Sequence, residues 1–135
     1  TIHVSVPAIK ILVKNKPHDK LVLITDAMRA KNLGDTVSEL GGQTVYVKNG
    51  EARLADGTLA GSVLRMNDAV KNMVTKCGVD FCTAVDFASA NPAKNLGLFD
   101  KLGSIEEGKN ASFAVLDKDF NVLMTIRDGE VIYKA

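Results

Sequence analysis

Asp26 ends the run Leu21-Val22-Leu23-Ile24-Thr25, and a carboxylate set at the close of an unbroken apolar segment is placed to move protons or face a cation. His3 is the second group of interest, because an imidazole exchanges protons and hydrogen bonds near neutral pH. Each has a plainer use. Asp26 could cap a following helix or turn, and His3 could be solvated. Cys77 and Cys82, separated by four residues that include Gly78, match neither a zinc knuckle nor a redox dithiol, so they read as reduced packing cysteines. His18 follows Pro17 in a turn and reads as exposed.

Positioning Asp26 and His3 requires a scaffold, and the hydrophobic pattern predicts one. Leu21 to Ile24 show no polar alternation, the pattern of a central parallel strand covered on both faces. Thr1-Ile2-His3-Val4 reads as the end of an earlier strand. Between them Ser5 can cap a helix that tolerates Pro7 in its first turn, repeats Val6, Ile9, Leu12 and Val13, and stops at Lys16-Pro17. Strand, helix, strand is one crossover unit, and it puts His3 and Asp26 on the carboxyl-end rim, where ligands bind in open α/β sheets and α/β barrels.

Downstream, residues 27–42 read as a loop with one helical turn. Residues 43–54 form a hairpin about Asn49-Gly50, with a second turn at Asp56-Gly57. The small, flexible segment 57–62 leads into a helix faced by Met66, Ala69, Val70, Met73, Val74 and Cys77, capped by Ser62 and ended by Gly78. Asp80 caps another helix, and Asn91-Pro92 starts a short one ending near Gly97. Residues 113–116, 121–127 and 130–133 read as strands, the last two joined at Asp128-Gly129.

Composition narrows the function classes. A net charge of +1 with scattered lysines and arginines offers no stripe for a nucleic-acid backbone. No apolar run approaches a membrane span and no signal-peptide pattern opens the chain, so a cytoplasmic protein is expected.

Leu23-Ile24-Thr25-Asp26-Ala27-Met28, Leu40-Gly41-Gly42, Asp56-Gly57-Thr58-Leu59-Ala60-Gly61-Ser62, Asn91-Pro92-Ala93-Lys94-Asn95-Leu96-Gly97-Leu98 and Gly103-Ser104-Ile105-Glu106-Glu107-Gly108-Lys109 occur in this order. Together they resemble the C-terminal part of the N-acetylglucosamine-6-phosphate deacetylase family of amidohydrolases. The resemblance implies an α/β fold: the C-terminal part of a TIM (β/α)8 barrel over residues 1–110, with the hairpin 43–54 inserted, and strands of a small β-sandwich domain over 111–135. A whole barrel needs about 250 residues, so this chain is expected to be a fragment, inactive alone. The resemblance further implies deacetylation of N-acetylglucosamine 6-phosphate to glucosamine 6-phosphate and acetate. Asp26 would be the catalytic acid and base, with His3, Leu59, Ala60, Gly61 and Ser62 on the substrate. A divalent metal, zinc or iron, would be held by a glutamate and histidines of earlier strands, Asp26 being the one side chain here that could join them. A small-molecule sugar phosphate is then the expected partner.

Two other readings stand beside this one: an amidohydrolase acting on a cyclic amide, and a non-catalytic binding or assembly module built on an exposed apolar barrel face. Unpaired strand edges also favour a homo-oligomer.

Overall fold

Two separate apolar cores organise the chain, and the segment that carries Asp26 runs from one to the other. The computed structural model describes all residues 1–135. Helix α1 (Val6–Asn15) forms because Val6, Ile9 and Val13 recur on one face and Pro7 falls in its first turn, where no intrahelical N–H is needed. It ends where Lys16, restricted by Pro17, turns extended. That face meets α2 (Met66–Thr75) and α3 (Phe81–Ala88) over a core of Val70, Met73, Cys77, Val79, Ala84 and Phe87. Asp80 caps α3, its carboxylate accepting the Thr83 N–H at 3.2 Å. Helix α4 (Ala90–Asn95) follows directly, with Asn91 buried.

The second core belongs to a four-stranded antiparallel sheet, β1 (Thr36–Leu40), β2 (Gln43–Lys48), β3 (Glu51–Arg53) and β4 (Leu59–Gly61), in sequential order. Val45, Val47 and Ala52 bury one face of it against Met28 and Ala30. At Asn49-Gly50 both turn residues have positive φ, 51° and 77°, which matches the right-handed twist of the flanking strands. A third unit, β5 (Phe113–Leu116), β6 (Val122–Arg127) and β7 (Glu130–Lys134), is an antiparallel meander closed by a similar turn at Asp128-Gly129. The architecture is thus mixed helix and sheet.

Several expectations are corrected. Leu21 to Ile24 form no strand, and neither do residues 1–4. The cause is pairing: a strand exists only within a ladder, and along 21–25 the one backbone bond to a distant segment runs from the Leu23 N–H to the Phe87 carbonyl at 2.8 Å. Ile24 is consequently 70% exposed rather than covered. Residues 27–42 are not merely loop, because Thr36–Leu40 pairs along its whole length with β2 through the Gly41-Gly42 turn. The small segment expected to be flexible contains β4, held to β3. Ser62 does not cap α2; Arg65 takes that position, and the Ser62 hydroxyl accepts the Leu64 N–H in a local turn. Cys77 is buried as expected, but Cys82 is exposed on α3. Met73 lies in the core, whereas Met66, at the start of α2, is only partly covered, at 36% exposure.

Candidate active site

The position of Asp26 follows from its neighbours. Leu21 and Leu23 pack on the helical core, Met28 and Ala30 are buried in the sheet core, and Asp26 lies on the exposed stretch between these anchors. The near anchor is reinforced by Asn91, whose side-chain amide donates to the carbonyls of His18 and Leu21, each at 2.7 Å. A buried amide with both protons used fixes the backbone it touches. From the sequence Asn91 reads as a helix start within one of the family-like segments, and its burial and anchoring bonds emerge only in the fold.

At the far anchor the Met28 N–H donates to the Ser62 carbonyl at 2.8 Å, and Ala27 and Ser62 form a parallel bridge. His3 Nε2 lies 3.1 Å from the Gly61 carbonyl. Three segments distant in sequence, those of His3, Asp26 and Leu59 to Ser62, therefore converge. Gly61 is favoured there by close approach: a Cβ would lie 3.1 Å from both Met28 Sδ and Leu40 Cδ2, which would have to give way. Its strand is led in by the Asp56 turn, where the Thr58 N–H, donating at 2.9 Å, holds the Asp56 carboxyl below the usual carboxylate range.

Asp26 itself adopts φ 46°, a left-handed conformation uncommon outside glycine, and its side chain enters no ion pair or hydrogen bond within the chain. It decorates no helix end, since Arg65 and Asp80 occupy the caps nearest in sequence after it. An exposed carboxylate set between two anchors and free of partners is available to a proton or a ligand. Ala60 and Leu59 sit in β4, and Leu59 pairs with Arg53.

The chain's own donors do not fit a divalent metal. No three histidine, cysteine or carboxylate side chains come together anywhere in it, and a single carboxylate with one carbonyl-bonded imidazole falls short of the coordination number zinc or iron requires. An open concavity of about 690 Å³ lined by Tyr46, Lys48 and Arg53 lies on the other face of the four-stranded sheet, turned away from Met28, and contains none of the converging residues. No helix is long and apolar enough to cross a membrane.

Comparison with known proteins gives this geometry a context. The N-acetylglucosamine-6-phosphate deacetylase of Bacillus subtilis (strain 168) is 42% identical over 132 residues, covering 98% of this chain and 33% of the relative. A putative N-acetylgalactosamine-6-phosphate deacetylase of Escherichia coli (strain K12) is 43% identical over 104 residues, 77% of this chain and 62% of that protein. The crystal structure of N-acetylglucosamine-6-phosphate deacetylase from Thermotoga maritima superposes with a TM-score of 0.87 at 41% identity, covering 99% of this chain and 37% of that one. The chain thus spans about a third of the length of the Bacillus relative. The amidohydrolase family profile matches residues 5–132, and with nearly the whole sequence inside that match the chain belongs to the amidohydrolase family.

Proposed function

We propose that this chain is the C-terminal portion of a deacetylase that hydrolyses N-acetylglucosamine 6-phosphate to glucosamine 6-phosphate and acetate. In that reading residues 1–110 are the last units of a (β/α)8 barrel, with the hairpin 43–54 inserted, and residues 111–135 are strands of a small β-sandwich domain. The observation that carries the reading is the free Asp26 carboxylate, held beside β4 and the His3 contact in a chain 42% identical to such an enzyme.

The chemistry asked of Asp26 is proton transfer. Its carboxylate accepts a proton from the water that attacks the acetyl carbonyl, then returns that proton to the sugar nitrogen as the carbon–nitrogen bond breaks, leaving acetate and the amine. Holding such a group at a fixed point matters because a misplacement of 1 Å can cost about a hundredfold in rate. His3 has a complementary role. With Nε2–H donated to the Gly61 carbonyl, the neutral ring keeps an Nδ1 lone pair for a sugar hydroxyl, and the protonated ring offers a second N–H to a phosphate oxygen. The backbone of Leu59 to Ser62, brought close by Gly61, supplies the facing wall. The zinc or iron implied by the family resemblance would need ligands from outside these residues.

Acetate release by a chimera, in which this chain replaces the matching third of the Bacillus subtilis relative, tests the assignment. Turnover of N-acetylglucosamine 6-phosphate is expected, with kcat reduced about 10²- to 10⁴-fold by Asp26→Asn. Undiminished turnover in that variant would remove the proton-shuttle role. A second reading, the galactosamine epimer, is favoured by the 43% identity to the Escherichia coli relative. The ratio of kcat/KM on the two sugar phosphates decides it, and a preference for the galacto substrate would displace the first reading.

A further inference from the structure

Of the asparagines in the chain, only Asn49 is followed by glycine. That pair has a chemistry of its own. With no Cβ in the way, the backbone nitrogen of a glycine can reach the side-chain carbonyl carbon of the asparagine before it and close a five-membered ring.

The fold leaves both reacting groups free. Asn49 and Gly50 form the exposed tip of the β2–β3 hairpin, each with positive φ. The Asn49 side-chain amide makes no hydrogen bond within the chain, the Gly50 N–H donates to no backbone carbonyl, and the space beside the Gly50 Cα is open to 4 Å. The two aspartyl-glycine turns differ on this point. Asp56 Oδ1 accepts the Thr58 N–H, and Asp128 Oδ1 accepts from the Asn110 amide at 2.9 Å and from the Ser112 hydroxyl at 3.3 Å. A carboxylate is also a poorer acyl group than a neutral amide, so of the three turns the Asn49 turn is the one set to react.

Little holds this tip shut. The Asn49 backbone N–H donates to Asp35 Oδ1 at 2.9 Å in an exposed bond. Behind it, β3 is three residues long and its ladder to β4 slips between Ala52 and Arg53. Ring closure requires the Asn49 side chain to swing over the Gly50 nitrogen, so it proceeds in the moments when this short ladder frays.

We propose that Asn49 is a site of spontaneous covalent modification, deamidation through a cyclic imide, and that the Asp35 contact restrains it. The Gly50 nitrogen gives its proton to a solvent base and bonds to Asn49 Cγ. The Cγ–Nδ2 bond then breaks, and the side-chain nitrogen takes a proton from water and leaves as ammonia. Solvent water opens the ring at either carbonyl. Cleavage of the new nitrogen–Cγ bond leaves aspartate; cleavage on the main-chain side leaves isoaspartate, whose backbone runs through the side chain. Each product carries one new carboxylate, which takes the formal net charge from +1 to zero. Isoaspartate also adds a methylene to a two-residue loop. Because loop length fixes hairpin register, the Lys48–Glu51 pair that closes the turn is then lost.

The test holds the purified chain in warm, mildly alkaline buffer and maps its peptides by mass spectrometry. A gain of about 1 Da is expected at the Asn49 peptide ahead of every other asparagine, with ammonia released and isoaspartate among the products. The rate should rise with pH, because the attacking nitrogen must lose its proton. Asn49→Gly, which suits the φ of 51° and keeps the turn, should abolish the acidic form. Asp35→Ala should speed the conversion about threefold or more, the least expected from losing one exposed hydrogen bond. In the isoaspartate fraction, amide exchange at Glu51 should quicken about tenfold or more. Conversion led by another asparagine, an acidic form that persists in Asn49→Gly, or an Asn49 peptide that stays intact in the folded chain, whether or not it converts in urea, overturns the site. An unchanged rate in Asp35→Ala overturns the restraint. All of this is read without substrate, so it stands or falls apart from the deacetylase reading.

Discussion

The β2–β3 hairpin carries its own pairing partner across a two-residue turn, whereas the segment from Leu21 to Asp26 depends on whatever lies beside it. In the hairpin, Tyr46, Val47 and Lys48 face Arg53, Ala52 and Glu51 in register, and alternate side chains are buried. The Leu21 segment is the more apolar of the two, yet it forms one distant backbone bond before its bridge to Ser62 and leaves Ile24 in solvent. Hydrophobicity decides that a segment will seek burial; the ladder decides whether it becomes a strand.

The same substitution in the two regions tests this contrast most severely. Val45→Asp places a carboxylate where the side chain is fully buried, in the apolar core that β2 shares with Met28 and Ala30. A loss of about 4 kcal/mol or more is expected, enough to abolish the urea transition followed by far-ultraviolet circular dichroism in a domain of ordinary stability. Ile24→Asp should change the stability of the isolated chain by about 0.5 kcal/mol or less, since the residue is already in water. Equal costs at the two positions would mean that the Leu21 segment is buried in solution and that the contrast is false.

How much of this was legible beforehand follows from which physics is local. The turns at Asn49-Gly50 and Asp128-Gly129, the Asp80 cap and the end of α1 before Pro17 could all be read, because each is fixed within a few residues. Strand β1 could not, because Thr36-Val37-Ser38-Glu39-Leu40 has little apolar alternation and becomes a strand only through its partner β2. Strand β4 is three residues long and owes its state to β3. At the candidate site, Asp26 could be singled out as the carboxylate that closes an apolar run and His3 as an imidazole expected on the same rim, while Leu59 to Ser62 came only with the family motifs. What the sequence concealed was the means of bringing them together: the Met28-to-Ser62 bond, the His3 contact and the buried Asn91 amide. Each joins residues far apart along the chain, where periodicity carries no information.

Gly61 sharpens the comparison, because it is the point at which the self-sufficient sheet grips the dependent segment. Gly61→Ala must displace the ends of Met28 and Leu40, both flexible side chains, so a cost of about 1–2 kcal/mol is expected rather than collapse. The shift falls on the contact that holds Asp26. Denaturant titration should therefore show a modest loss, while amide exchange at Met28, whose N–H is bonded to Ser62, quickens more than at Val47 in the sheet. Uniform acceleration across both residues would show that the sheet and the segment open as one unit.

The smallest effect separates carboxylates that carry their own partners from one that does not. In the β5–β6 connection the Asn121 side-chain amide, the backbone N–H groups of Asn121 and Asp119 and the charge of Lys71 hold the Asp117 carboxyl below the usual carboxylate range, and Thr58 does the same for Asp56. A depressed folded-state value means that the stabilisation is present above the unfolded carboxyl value of about 3.9 and is lost as pH falls through the lower folded one. Asp56 is exposed and Asp117 only partly covered, so solvent screening keeps the contribution slight. Amide exchange at Asp119 and Asn121 should therefore stay slow down to about pH 4 and quicken below it, after correction for the intrinsic pH dependence. Asp117→Asn keeps an acceptor oxygen for both N–H groups while removing the titration, so that quickening should disappear even though the turn persists. If the variant retains the acid step, protonation of Asp117 is not its cause, and the turn is opening with the meander it connects.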